Sequence, residues 1–182
     1  MGDSITDSWN LANYFTGKPY INRGISAQTT PQMLLRFRQD VIALTPSVVV
    51  ILAGTNDIAG NTGPISLAET ENNLASMADV ARANHIAVVL SSVTPVSNYT
   101  PRSQRFFAER PIQRIRELNS WLQTYARQHG DVYLDYYSHM LDDHGMLRRD
   151  LSEDGLHPND TGYRIMGTLA ERAIAEALAQ NR

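Results

Sequence analysis

The chain has 182 residues, of which 42% are apolar and 19% charged, proportions that fit one folded globular domain. Its net charge is −3 and its basic residues are scattered, so no nucleic-acid surface is indicated. The lack of cysteine excludes disulfides, thiolate nucleophiles and cysteine-based zinc sites. No apolar run has the length of a membrane-spanning helix, and we expect a soluble protein, either cytoplasmic or secreted.

Strand-like and helix-like segments alternate along the chain, which predicts a single α/β domain over residues 1–182 with a parallel sheet. Thr30 is predicted to cap the first long helix, with Pro31 at its first position and Pro46 beyond its end. Residues 48–52 then form an uninterrupted apolar run, which favours a strand that is covered on both faces.

The second half of the chain continues this alternation. The predicted elements are a helix capped by Ser66 and Glu69, a strand over 86–90, a helix from Pro111, a strand over 132–134 and a helix over 161–179. Residues 91–110 are rich in Pro, Ser and Thr and are predicted to form a long loop. A loop of that length inside a domain is more often functional than accidental.

Four short polar segments follow predicted strands or precede predicted helices, which places them at the edge of an open sheet where ligands bind. In chain order they are Gly-Asp-Ser-Ile at 2–5, Asn-Arg-Gly-Ile at 22–25, Gly-Thr-Asn-Asp at 54–57 and Asp-Gly-Leu-His-Pro-Asn at 154–159. Gly-Asp-Ser and Gly-Thr-Asn-Asp each resemble a common turn, and Asp-Gly-Leu-His-Pro is more specific but fits a loop with an exposed histidine. Together the four segments supply the groups that serine-dependent ester cleavage requires.

The first and last of these segments predict a nucleophile and its base. A serine hydroxyl becomes a good nucleophile only when a base takes its proton, a task that suits histidine near neutrality. Ser4 lies between a Gly-Asp turn and a helix predicted to begin near Thr6, so its hydroxyl should be exposed and favoured by the helix dipole. Asp154 and His157 are three residues apart, and in a turn the carboxylate can orient the imidazole.

Two further residues predict donors for the oxyanion that forms during acyl transfer. Gly24 lacks a side chain, which lets its backbone N–H come close to a substrate. Asn56 follows the buried strand and carries a neutral amide donor on a rigid support.

These segments, in this order and over essentially the whole chain, resemble the SGNH hydrolases, also called the GDSL esterases and lipases. The resemblance implies Ser4 as nucleophile, Asp154 and His157 as the rest of a catalytic triad, and no metal or other cofactor. It also implies an oxyanion hole formed by the Ser4 and Gly24 N–H groups with the Asn56 side chain. The implied fold is a flavodoxin-like three-layer α/β/α sandwich with a central parallel sheet.

Within that family the chain is most similar to single-domain bacterial acyl and acetyl esterases, which resemble platelet-activating-factor acetylhydrolases and lysophospholipase-type enzymes. Two positions depart from the family pattern. Ile5 stands where the family name has Leu, which is a conservative apolar change. The family also has a buried strand directly before the Gly-Asp-Ser segment, and here only Met1 precedes Gly2, so we expect the sequence to begin inside the domain.

The expected function is hydrolysis of small carboxylic esters, chiefly acetyl groups on a carbohydrate or similar alcohol, through an acyl-enzyme on Ser4. Three alternatives are open. A lysophospholipase or acyl thioesterase would use the same site, whereas a non-catalytic relative would bind a glycan or a protein. A magnesium-dependent phosphotransfer pocket is also compatible with the acidic residues Asp3, Asp7, Asp57 and Asp154.

Several other residues have structural interpretations. Asp57 is expected to brace its loop, and Asp3 to fix the turn before Ser4. A solvated loop is favoured over a metal site at His139 and His144, which flank two aspartates. The aromatic residues of the later loops either line a pocket or anchor those loops, with no preference between the two: Tyr99, Phe106, Phe107 and Tyr136.

Overall fold

Three short apolar segments pair as parallel strands at the centre of the protein. In the computed structural model, which describes residues 1–180, they are β1 (Val48–Ile51), β2 (Ala87–Ser91) and β3 (Val132–Leu134). The strands lie in the order β1-β2-β3, with Val49 opposite Val88 and Val89 opposite Val132. Their β-branched side chains suit strands that are covered on both faces, as the sequence predicted.

The first residues of the chain extend this sheet beyond β1. Gly2 forms parallel bridges with Leu52 on one side and with Gly24 on the other. The spatial order is therefore Gly24, Gly2, β1, β2, β3, which is the 2-1-3-4-5 order of flavodoxin-like folds. This order confirms the predicted fold class. The strand expected before Gly2 stays a prediction.

Helices occupy the segments between the strands. They are α1 (Ser4–Asp7), α2 (Leu11–Tyr14), α3 (Thr30–Asp40), α4 (Thr55–Ile58), α5 (Leu67–Ala83), α6 (Ser103–Glu109), α7 (Ile112–His129), α8 (Tyr136–His139) and α9 (Asp160–Gln180). Short 3-10 turns lie at Ile42–Leu44 and Arg149–Leu151. Within residues 1–180, none of the helices combines the length and the apolar character that a membrane crossing needs.

The sheet separates two apolar layers, because neighbouring residues along a strand face opposite sides. Val88 and Leu90 of β2 pack in one layer with buried side chains of α3, α5 and α7. Val89, which lies between them, packs in the other layer with α9 and with Trp9. Helices therefore cover both faces of the sheet, which gives the three-layer α/β/α sandwich.

The helix that precedes β1 differs from the prediction at both ends. Its cap is Thr29 rather than Thr30, because Thr29 forms a capping box with Gln32 and Thr30 is the first helical residue. The regular helix ends at Asp40, well before Pro46, and only a 3-10 turn follows it. This tighter turn brings the chain round into β1.

The loop predicted at residues 91–110 contains a helix, α6, that the prediction missed. The turn before it is held by Ser103, whose N–H (3.1 Å) and Oγ (2.8 Å) both donate to the Thr100 carbonyl. Serine and threonine bond to nearby backbone groups in both loops and helix starts, so the composition of the segment did not distinguish the two. The helix places Phe106 against the imidazole of His157.

The helix expected near Thr6 begins earlier, at Ser4, and comprises a single turn. Asp3 caps this turn by accepting a hydrogen bond from the Ile5 N–H at 2.9 Å. One turn contributes little dipole, so positive potential at Ser4 must come from individual N–H groups rather than from a long helix. The Ser4 N–H is one of these, because the first residue of a helix has no intrahelical acceptor.

Candidate active site

Ser4, His157 and Asp154 form a continuous series of hydrogen bonds at the carboxyl edge of the sheet. Ser4 Oγ lies 3.0 Å from His157 Nε2, and His157 Nδ1 lies 2.7 Å from Asp154 Oδ2. Ser4 and His157 are 153 residues apart in the chain, so only the tertiary fold brings them together. The imidazole has 32% of its side-chain surface exposed, so a ligand can reach it.

The turn that joins Asp154 to His157 aims the imidazole. Asp154 Oδ1 accepts from the backbone N–H groups of Leu156 (3.0 Å) and His157 (2.8 Å), which leaves Oδ2 for the ring. Gly155 has a φ of +78°, and a side chain there would lie 2.6 Å from the Ser97 carbonyl oxygen.

The Asp154 carboxyl is ionised at neutral pH. Its burial raises its pKa, but the hydrogen bonds from the His157 ring and from the backbone outweigh burial and hold that pKa below the ordinary value. An ionised carboxylate beside Nδ1 keeps the Nδ1 proton in place and leaves Nε2 as the acceptor that faces Ser4.

Asn56 lies in α4, directly after β1, and its amide is held at both ends. Nδ2 donates to the Gln28 carbonyl at 3.0 Å, and Oδ1 accepts from Arg110 Nη2 at 3.2 Å. A carbonyl only accepts and a guanidinium only donates, so these two partners determine which end of the amide is nitrogen. Among residues 1–180, the second N–H of this amide has no acceptor.

Gly24 lies where the loop at residues 22–26 crosses α1 at close range. A Cβ on Gly24 would lie 2.1 Å from the backbone nitrogen of Asp7, so only glycine fits. Its N–H donates to Asn22 Oδ1 at 2.8 Å, and Asn22 donates in turn to the Thr6 carbonyl at 2.6 Å. The Gly24 hydrogen is thus engaged within the loop, and its predicted place in an oxyanion hole stays a prediction.

Three residues near Asn56 were missed by sequence reasoning. Gln28 and Arg110 hold the amide, and Ala27 has a φ of +65°, which residues with a side chain rarely adopt outside functional or strained turns. Among residues 1–180 the Ala27 N–H has no hydrogen-bond acceptor. No motif signals these positions, because Arg110 is 54 residues from Asn56 and a left-handed alanine has no compositional signature.

Asp57 braces its loop, as expected. Its carboxylate accepts from the Thr30 N–H at 3.0 Å and from Thr30 Oγ1 at 2.5 Å. Burial raises the pKa of Asp57, and the bonds from Thr30 counter that effect. Across residues 1–180, no three acidic or histidine side chains are grouped so that they could hold a metal ion.

Asp3 is fully buried next to Ser4, and only one of its two carboxylate oxygens has a hydrogen-bond donor among residues 1–180. Its Oδ1 accepts from Ile5, whereas Oδ2 meets no hydrogen-bond donor among residues 1–180. Burial raises the pKa of Asp3 from 3.8 to about 6, although the Ile5 N–H, the His157 imidazole and the Arg110 guanidinium oppose the rise. The folded protein therefore retains this proton at a pH where the unfolded chain has lost it.

Asp3→Asn is expected to flatten part of the pH dependence of stability. Because the folded pKa of Asp3 is raised, its contribution to the free energy of unfolding is full below pH 3.8 and is lost as the pH rises through about 6. Between pH 4 and pH 7 the wild type should lose about 2 kcal/mol relative to Asp3→Asn, which keeps the Oδ1 acceptor. Urea unfolding of both proteins across that range measures the difference, and parallel curves would contradict the account.

The aromatic residues of the later loops differ in position: one lines the site, and the others lie in the core layers or anchor a loop. Phe106 lies edge-on to the His157 ring, with centroids 5.8 Å apart, and so lines the site. Tyr136 is fully buried in the core beside α9, and Tyr99 anchors its loop through a hydrogen bond to Asp142. Phe107 packs partly buried against the opposite core layer.

The fold and these hydrogen-bonded residues place the protein among the GDSL/SGNH α/β/α hydrolases. The chain belongs to the GDSL-like lipase/acylhydrolase family, whose sequence profile matches residues 1–165. Membership assigns the protein to the hydrolases. A comparison with curated protein sequences finds no match.

Solved structures agree with this family. A Bacteroides fragilis protein assigned as an acylhydrolase is 40% identical, with a TM-score of 0.88 over 98% of this chain and 86% of that chain. A GDSL-like lipase of Bacteroides thetaiotaomicron is 42% identical, with a TM-score of 0.88 over 97% of this chain and 86% of its own. An acetylxylan esterase of Geobacillus stearothermophilus, 19% identical, shares the fold with a TM-score of 0.65 over 87% of this chain and 71% of its own.

Proposed function

We propose that this protein is a serine esterase that hydrolyses carboxylic esters with short acyl chains. The observation that carries the proposal is the Ser4–His157–Asp154 series, with contacts of 3.0 and 2.7 Å. Ser4 Oγ attacks the ester carbonyl while His157 Nε2 takes its proton, and the alcohol leaves with that proton. Water then attacks the acyl-enzyme with His157 again as base, which releases the acid and restores Ser4.

The oxyanion of each step needs donors that are already in position. The Ser4 N–H and the second Nδ2 hydrogen of Asn56 supply two of them. The third is the Gly24 N–H, which would first have to leave Asn22 Oδ1, its acceptor at 2.8 Å. Gly24 as the third donor therefore requires the loop at 22–26 to rearrange when substrate binds.

A cleft beside the oxyanion donors supports a polar alcohol as the leaving group. This polar cleft, of about 630 Å³, is not lined by Ser4, Asn56 or His157 themselves, but it adjoins the site through Gln28, whose carbonyl accepts from Asn56. Its polar lining comes from the loops at 25–28 and 59–62 and from α3 and α6: Ser26, Gln28, Gln32, Asn61, Thr62, Arg105 and Glu109. Amide, hydroxyl and charged groups pair well with sugar hydroxyls, so an acetylated carbohydrate is the substrate class that we favour. An acetylxylan esterase with the same fold acts on substrates of this class.

The acyl side of the site favours a small group over a long chain. An apolar cavity of about 460 Å³ lies beside β1, but Ser4, Asn56 and His157 are not among its lining residues. The aromatic ring that contacts His157 is that of Phe106. A lysophospholipase or long-chain thioesterase would need an apolar channel that starts at Ser4.

Hydrolysis of p-nitrophenyl esters from acetate to palmitate, with and without chelator, tests this function. The proposal expects kcat/KM to be highest for acetate or butyrate and to be unchanged by chelator. Faster cleavage of long-chain esters would favour the lipid hydrolase, and loss of activity with chelator would favour the magnesium-dependent alternative. If none of the esters is hydrolysed, the non-catalytic binding protein becomes the better account.

A further inference from the structure

Arg110 is a buried cation that contacts the candidate oxyanion donor. The residue lies between α6 and α7, with 3% of its surface exposed. Its Nε donates to Thr55 Oγ1 at 3.0 Å, and its Nη2 donates to Asn56 Oδ1 at 3.2 Å. The two acceptors are consecutive residues of α4, so the guanidinium holds the start of that helix through two hydrogen bonds.

Arg110 does not form a close ion pair with a buried carboxylate. Its carboxylate contact is Glu109, at 3.5 Å, and that side chain is 32% exposed. Burial lowers the pKa of Arg110, and the negative charges of Glu109 and Asp3 oppose the lowering. Burying a cation costs free energy unless nearby groups compensate its charge. The groups in closest hydrogen-bond contact with Arg110 are the neutral side chains of Thr55 and Asn56.

We propose that Arg110 is a positioning residue that orients and polarises the Asn56 amide for oxyanion binding. The inference rests on the proposed esterase function. The positive charge beside Oδ1 draws electrons from the amide nitrogen toward the oxygen, which makes the remaining N–H a stronger donor. In a buried site this effect is larger than in water, and it acts most on the negatively charged transition state.

The same guanidinium also organises the other side of the site. Its central carbon lies 5.6 Å from the centroid of the Phe106 ring, and Phe106 lies edge-on to His157. Arg110 therefore contacts both the amide donor and the wall beside the base. These contacts join α6 to α4, two elements that are far apart in the chain.

Arg114 provides a matched control. It lies one helical turn further on, in α7, and its Nη2 donates to the Ile65 carbonyl at 3.2 Å. It thus has the same chemistry and a comparable structural hydrogen bond, but no contact with Asn56 is present. Arg114→Met should leave ester hydrolysis unchanged.

The kinetic test compares Arg110→Met, Arg110→Lys, Asn56→Ala and the Arg110→Met/Asn56→Ala double variant on p-nitrophenyl acetate. Arg110→Met should lower kcat by about 10- to 100-fold with little change in KM, and lysine should restore part of it. Because Arg110 acts through Asn56, the kcat of the double variant should lie within about 3-fold of the kcat of Asn56→Ala. Independent, multiplied losses would overturn the proposal, as would a change confined to KM.

A second readout does not depend on turnover. The side-chain amide of Asn56, observed by 1H–15N NMR, should move upfield in Arg110→Met and to an intermediate position in Arg110→Lys. If Arg110→Met is poorly folded, Thr55→Val takes its place, because it keeps the charge of Arg110 and removes only the acceptor of its Nε. Thr55→Val should give a smaller shift of the same sign. An unmoved Asn56 amide in these variants would overturn the role of Arg110. A wild type without esterase activity would instead refute the proposed function, and the NMR result would still decide on Arg110.

Discussion

Asp154→Asn is expected to lower kcat by about 10⁴-fold while the protein remains folded. Oδ1, which accepts from the Leu156 and His157 N–H groups, is kept in the variant, so the turn should survive. Oδ2 is replaced by an NH2 group, which cannot accept from His157 Nδ1. The ring proton then moves to Nε2, which can no longer take the proton of Ser4.

Steady-state kinetics on p-nitrophenyl acetate measure this loss, with circular dichroism to verify the fold. Asp150→Asn is the matched control, because Asp150 lies nearby in the chain but pairs with Arg148 at the surface. Surface ion pairs of this kind contribute little, so Asp150→Asn should keep wild-type activity. If Asp154→Asn retains more than about a tenth of the wild-type kcat, the carboxylate does not orient the base.

Gly24→Ala is expected to destabilise the protein by about 3 kcal/mol. The added Cβ would lie 2.1 Å from the Asp7 nitrogen and 2.6 Å from the Thr6 carbonyl carbon, both of which are backbone atoms that cannot rotate away. The loop at 22–26 must therefore lift from α1 and lose its bridge to Gly2. The expected readout is a large fall in the urea midpoint, accompanied by loss of esterase activity.

The same substitution at Gly167 supplies the control for this prediction. Gly167 lies inside α9, and a Cβ there would make ordinary contacts of 3.6 Å with the Phe15 ring. Alanine is the better helix former, so Gly167→Ala should stabilise the protein by up to about 1 kcal/mol. Equal effects of the two substitutions would show that the approach of the loop to α1 is looser than described.

The parts of this protein that could be predicted are those with a local signal. The apolar run at 48–52 and the capping box of Ser66 and Glu69 carry their structure within a few residues, and the structure confirms both. Asp154 and His157 were recognisable because the carboxylate and the ring lie in one turn. Their meeting with Ser4 followed from the parallel sheet, which gathers the ends of its strands at one edge.

The parts that were missed depend on contacts between distant segments. Thr30 was expected to cap α3, but its hydroxyl donates to Asp57, so the cap falls to Thr29. Arg110 was expected only to end a loop, because its contact with Asn56 exists only in the folded chain. The pairing of the Gly24 N–H within its own loop likewise depends on how that loop lies across α1.

Acid-quenched reaction with p-nitrophenyl acetate, followed by peptide mass spectrometry, tests the central claim most directly. The account predicts that the wild type hydrolyses the ester and carries one acetyl group on Ser4 when quenched during turnover. Ser4→Ala should show neither acetylation nor hydrolysis above the rate of the uncatalysed reaction. Turnover by Ser4→Ala at the wild-type rate, or an acetyl group trapped on a different residue, would contradict the assignment of Ser4 as nucleophile.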